Sequence, residues 1–180
     1  ETVSDPLSPR ALRLQSELRK ASPQSFADRL LEFLQEKGGT RYDEAVTQME
    51  HGLQAAWLAR QTGASPSLVV AALFHDIGVE LGPLNHSDYA AALINPYVSE
   101  KTHWIIANHG TFQMYYYAHH LGGNKNARDK FKDHKYFKDT VNFCEKWDQK
   151  SFDPNYKSLS LKDFEPYVRK IFSRTPYKTA

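Results

Sequence analysis

Eight histidines stand in a chain of 180 residues, and imidazole is both the commonest metal ligand and a frequent acid–base group. His51 lies inside a helix-forming stretch, and His75 and Asp76 close the most apolar run, Leu68 to Phe74. His86 opens the next helical stretch, His109 closes the one after it, and Asp148 follows Trp147 late in the chain. Ionisable side chains in or beside apolar helices need partners, because an unpaired buried charge costs on the order of several kcal/mol. A metal centre made from His51, His75, Asp76, His86, His109 and Asp148 would partner all six together. Neighbouring helical residues point about 100° apart. His75 can therefore bind one metal while the two oxygens of Asp76 bridge to a second. Imidazole and carboxylate ligands without thiolate suit Fe, Mn or Zn.

The elements that must position these groups read as helices. Ser8-Pro9 opens one through about Lys20, and Ser25 leads another, with Leu30, Leu31 and Leu34 inward, that ends at Gly38-Gly39. Thr47 to Glu50 has capping-box spacing ahead of a helix with Met49, Leu53, Ala56 and Trp57 as its core stripe, stopping near Gly63. Ser65-Pro66 starts the apolar helix that ends at His75-Asp76-Ile77-Gly78, and its all-round hydrophobicity predicts burial on most sides. Helices from about His86 to Leu93 and Ser99 to Asn108 follow, the second stopping at Gly110, and Tyr115 to Gly123 reads as an aromatic loop. Lys125 to Lys138 is charged and expected to be solvated. Asp139 is placed to cap the helix carrying Val141, Cys144, Trp147 and Asp148, and Ser160 the last one, with Leu161, Phe164, Val168 and Ile171 inward. Strand-like alternation is scarce. The expected class is all-α, with one globular unit: N-terminal helices over residues 1–40 packed on a main body over 41–175.

Composition narrows the function classes. A net charge of +2 gives no reason to expect nucleic acid as a partner, and no apolar run approaches the ~20 residues that span a bilayer. The single Cys144 permits neither an intramolecular disulfide nor a Cys-based zinc cluster, as expected of a cytoplasmic protein. Glu1 rather than Met opens the chain, as in a trimmed product.

His51, the pair His75-Asp76 within Leu73-Phe74-His75-Asp76-Ile77-Gly78, and Asp148 resemble the H…HD…D signature of the HD-domain superfamily, and His86 and His109 match its dinuclear members. The text from Tyr42 to Gln54 is similar to that around the first ligand of the HD-domain mixed-valent diiron oxygenases, which cleave 2-amino-1-hydroxyethylphosphonate and related hydroxyphosphonates. Asn85 to Tyr89 and His120 to Gly123 resemble myo-inositol oxygenase, which shares that diiron chemistry. The resemblance covers roughly Tyr42 to Phe172 and implies an HD-type helical bundle around two Fe ions in a mixed-valent Fe(II)/Fe(III) state, with O2 as co-substrate. It implies one iron held by His51, His75, Asp76 and Asp148, and a second by Asp76, His86 and His109. It further implies that Tyr42 and Glu44 cover the second iron until substrate arrives.

The chain departs from the phosphonate enzymes at Gln113 and Glu145, where they carry a lysine and an arginine, and at Val79, where they carry a histidine. Gly110 stands where myo-inositol oxygenase has a serine. Two positive contacts to a phosphonate are thus replaced, so the resemblance implies oxygenase chemistry on a small polar, hydroxyl-bearing molecule more than any one substrate. Gln48, Gln113, Glu145, Lys150 and His120 are the candidate substrate contacts. For His103, His119, His120 and His134 the plain expectation is a surface or hydrogen-bonded core residue, with His119 and His120 nearest the expected site mouth. A metal-dependent phosphohydrolase, the commonest activity among HD proteins, is the alternative, favoured by Lys146 and Lys150 beside Asp148. A non-catalytic binding module ranks last, since all six ligands are present.

Overall fold

The computed structural model describes residues 8–19, 23–41 and 45–177. Among these the chain is all-helical apart from a single bridge between Arg41 and Thr47. The helices are α1 (Pro9–Arg19), α2 (Pro23–Lys37), α3 (Gln48–Gln61), α4 (Pro66–Phe74), α5 (His86–Ile94), α6 (Glu100–Tyr117), α7 (Phe137–Phe143) and α8 (Leu161–Phe172).

Local chemistry explains most of the boundaries. Thr47 and Glu50 form the capping box expected for α3, each side chain satisfying a backbone N–H that the helix start leaves free. Ser65 caps α4 with proline at its first turn, and Ser160 and Asp163 box the start of α8. Asp139 does not cap α7. That helix starts two residues earlier, and Asp139 sits in its first turn, paired with Lys101 of α6.

Packing places α4 at the centre. Its residues Val69 to Phe74 are buried, with α3 on one side and α6 and α8 on others. Phe74 and Phe172 meet edge to face, centroids 6.1 Å apart. From α2, Ala27, Leu30, Leu31 and Leu34 join this core against α8, whereas α1 leaves Leu12 and Leu14 exposed. α3 comes so close to α4 that a Cβ on Gly52 would stand 2.6 Å from the carbonyl oxygen of Leu73.

The expected helix stop at Gly110 is not where the chain breaks. α6 runs on to Tyr117 and a 3₁₀ turn, Ala118–Leu121, follows, so Tyr115 to Tyr117 belong to a helix rather than a loop. Gly110 serves contact instead of termination: a Cβ there would lie 2.7 Å from Ser87 Oγ and 3.5 Å from the His86 ring, which lets α5 lie closely on α6.

The solvated stretch after Gly123 holds a short 3₁₀ turn, Ala127–Phe131, and packs more than its charge suggests. Phe131 lies against Phe112, and the Arg128 guanidinium stacks on Tyr115 at 3.6 Å. After α7 the helix widens into a π-turn, Cys144–Asp148, closed by the Gln149 N–H donating to the Cys144 carbonyl at 2.8 Å. Such turns hold one residue more than the α-helical spacing and are frequent at functional sites.

Candidate metal centre

Five segments converge on one buried cluster. α3 supplies His51, and the end of α4 supplies His75 with Asp76 beside it. The first residue of α5 is His86, α6 supplies His109, and the π-turn supplies Asp148. His51, His75 and His109 are essentially inaccessible to solvent, as are Asp76 and Asp148, while His86 is partly exposed.

Asp76 divides the cluster in two. Its Oδ2 lies 3.4 Å from His51 Nε2 and 3.3 Å from His75 Nε2. Its Oδ1 lies 3.1 Å from His109 Nε2 and 3.4 Å from His86 Nε2. Asp148 Oδ1 completes the first half at 3.3 Å from His51 and 3.6 Å from His75. One carboxylate therefore faces two groups of imidazole nitrogens with different oxygens, which is what a bridging ligand does. Two buried ligand groups fit an ion by distance, His51–His75–Asp148 and His75–Asp76–His109.

The far side of each imidazole is tied to the backbone. His51 Nδ1 donates to the Ser151 carbonyl at 3.0 Å, His75 Nδ1 to Ala72 at 2.7 Å, His86 Nδ1 to Pro83 at 2.8 Å and His109 Nδ1 to Ile106 at 2.7 Å. With the proton fixed on Nδ1, each neutral ring presents an Nε2 lone pair to the cluster. His51 Nε2 and His75 Nε2 then face each other at 3.1 Å. Two lone pairs at that distance repel unless a cation or proton lies between them. Asp148 Oδ2 is buried and has no hydrogen-bond partner among the described residues, a costly state for a carboxylate oxygen in the absence of a cation. The donor set fits a metal site.

Supporting contacts hold these ligands in place. The Gln48 side chain donates to the Asp76 carbonyl, fixing that residue's backbone. Gln54, one turn along α3 from His51, exchanges hydrogen bonds with the backbone of Asp153 at 2.9 and 3.3 Å, which holds the Ser151 carbonyl over His51. Phe152 packs on the His51 ring at 4.4 Å, and the fully buried Phe143 meets His75 edge to face at 5.5 Å.

Charge is balanced internally when protons stand in for metal. Burial is the largest influence on His51 and His75 and opposes their protonation, but Asp148 and Asp76 outweigh it and raise both pKa values, that of His75 strongly. Burial likewise works to raise Asp76 and Asp148, and the histidines overcome it, holding both carboxyls below the usual range. The folded state thus binds protons on the two histidines more tightly than the unfolded chain does. That stabilisation is complete below pH 6.5 and is lost as pH rises through the raised folded values. The carboxylate contribution is present above pH 3.8 and is lost as pH falls below it. Calorimetry in the presence of chelator should therefore show Tm falling as pH rises from 6.5 through the raised histidine values. Metal-loaded protein should hold or gain Tm over that interval, because metal replaces the protons. A flat profile in chelator would contradict this charge arrangement.

A cavity of about 580 Å³ opens onto the Asp76, His86, His109 and Asp148 side of the cluster. Gln113 and Gln149 stand in its wall, and Met114, Tyr117, Leu121 and Phe152 supply an apolar border. Of the residues expected to touch substrate, Gln113 alone lines this cavity. Gln48 is buried behind Asp76, whereas Glu145, Lys150 and His120 are exposed and outside the lining, His120 lying against His119. Tyr42 and Glu44 fall outside the described residues. Sequence reasoning missed Gln149 and Phe152, which come just after Asp148 but carry no metal-binding side chain, and Gln54 and Ser151, whose parts are hydrogen bonds.

No protein-family model matches the chain. A stretch of 49 residues is 53% identical to hydroxymethylphosphonate dioxygenase of Gimesia maris, covering 27% of this chain and 24% of that protein's length. No stretch of that length contains both His51 and Asp148, so the likeness cannot cover the whole ligand set.

Proposed function

We propose that this chain is an O2-dependent oxygenase of the HD-domain mixed-valent diiron type, which cleaves a C–C or C–P bond in a small hydroxyl-bearing polar substrate. The observation that carries the reading is the placement of Asp76, with one oxygen toward His51 and His75 and the other toward His86 and His109. The 49-residue likeness to a named dioxygenase supports the same reaction class.

In this reading His51, His75, Asp76 and Asp148 hold one iron and Asp76, His86 and His109 the other. The irons supply the means of activating O2 and of binding the substrate hydroxyl. The balance needs no further reactant: an α-hydroxyphosphonate and one O2 become a carboxylic acid and phosphoric acid. A vicinal diol and one O2 likewise become an aldehyde, a carboxylic acid and water. The protein's own residues fix ligand direction through four Nδ1–H···O=C bonds and exclude water on the His51 side through Phe152 and Phe143. The second ligand group, beside the cavity, is the more open and is the place for substrate. Tyr42 and Glu44 are proposed to cover it before substrate binds.

The phosphohydrolase alternative needs cations to neutralise a phosphate. Lys146 and Lys150 are exposed, and no lysine or arginine is among the described residues lining the cavity. The test is metal analysis of protein produced with ample iron, followed by EPR after partial reduction. About two irons per chain with a mixed-valent signal is the expected result. Zinc or manganese alone, with phosphomonoester hydrolysis, would overturn the oxygenase reading.

A further inference from the structure

One wall of the cavity carries two carboxamides, Gln113 one turn along α6 from His109 and Gln149 directly after Asp148. Gln113 Nε2 donates to Gln149 Oε1 at 3.1 Å and lies 3.5 Å from Tyr117 Oη. This leaves two amide groups unused among the described residues. Gln149 Nε2 makes no hydrogen bond, and Gln113 Oε1 is buried with no partner. A buried carbonyl oxygen without a donor costs about 1–3 kcal/mol, so a ligand group that donates to Gln113 Oε1 removes that cost, and Gln149 Nε2 is left to donate in turn. Exchanging O and N on both glutamines preserves their mutual hydrogen bond and still leaves one of each.

Among the described residues lining the cavity, no lysine or arginine supplies a compensating charge. Both ionised side chains of the lining, Asp76 and Asp148, are negative and stand on the ligand side, while Met114, Tyr117 and Leu121 border the amide pair. A second anion placed at the amides would meet no cation there. The cavity of about 580 Å³ is also of the size that holds a molecule longer than a one-carbon chelating head.

We infer that Gln113 and Gln149 form a specificity-determining subsite for an uncharged group that both donates and accepts hydrogen bonds, a hydroxyl or carboxamide, at the substrate end away from the metals. This rests on the oxygenase reading of the same site. It makes the preferred substrate one whose single charged or chelating head goes to the ligand cluster and whose far end is neutral.

Matched 2-hydroxy acids test it, because they share a head and differ only at the far end. Malamate and malate form one such pair, and 2-hydroxyglutaramate and 2-hydroxyglutarate a pair one carbon longer. Iron-loaded protein is titrated calorimetrically under anaerobic conditions, with glycolate as the head alone and iron content measured on the same samples. The expected result is at least tenfold tighter binding of one amide than of its acid, and of that amide than of glycolate. Gln113→Lys should reverse the amide preference, and Gln113→Leu should abolish it. Two irons per chain with acid bound as tightly as amide, or with no gain of either amide over glycolate, overturns the subsite and leaves the oxygenase reading standing. Protein that takes up no iron overturns the oxygenase reading and the subsite with it.

Discussion

Replacing Asp76 with alanine is expected, on the proposed two-iron reading, to remove both metals at once, taking iron from about two per chain to near none. The reason is its position rather than its charge alone. Both of its oxygens are committed, to different pairs of imidazoles, so no half of the cluster survives intact. The residue is also buried in contact with His51, His75 and His109, and removing one member of a buried charged network costs about 3–5 kcal/mol. Metal analysis and thermal unfolding of the same preparation read the two effects together. Asp76→Asn separates them, since it keeps the volume and should retain more stability than alanine while still losing iron. Two irons retained in Asp76→Ala would refute the bridging assignment.

The second large effect is expected at a residue with no side chain. Gly52→Ala would place a methyl 2.6 Å from the Leu73 carbonyl oxygen, a backbone atom that cannot rotate away. α3 must then lift from α4, at a cost of about 1–3 kcal/mol, or a fall in Tm of about 2–12 °C for a domain of this size. The same shift acts on function. His51 precedes Gly52 and His75 follows Leu73 by two residues, and their Nε2 atoms lie 3.1 Å apart. Iron affinity should therefore fall along with stability. Gly39→Ala is the control, because a Cβ there meets nothing within 4 Å. Equal behaviour of the two variants would show that the α3–α4 approach does not set the site.

Most of the helix starts were legible because capping is local: Thr47, Ser65 and Ser160 announce α3, α4 and α8 by side chains that bond within three residues. The gathering of the six His and Asp side chains was legible for a related reason, since histidine and aspartate beside apolar helices are costly to bury unless a shared partner meets them. Gly110 was misread because glycine ends helices and also permits close contact, and only the presence of Ser87 across the gap distinguishes the two roles. The substrate contacts were least legible. Glu145 stands three residues before Asp148, a spacing that shares a face in an α-helix, but the π-turn breaks that relation and leaves Glu145 in solvent while Asp148 is buried.

That π-turn also decides which kind of genetic change this part of the centre tolerates. A helix that has accommodated one surplus residue can give it up and remain a helix. Loss of a single residue between Cys144 and Trp147 would restore ordinary α-helical hydrogen bonding there, while the residues beyond, Asp148 among them, keep their direction toward the core. Point substitutions in this segment act on one side chain each, whereas a one-codon deletion acts on the turn itself. Relatives that lack the surplus residue would keep a carboxylate in the place of Asp148, so comparisons drawn without a gap here would pair the wrong residues.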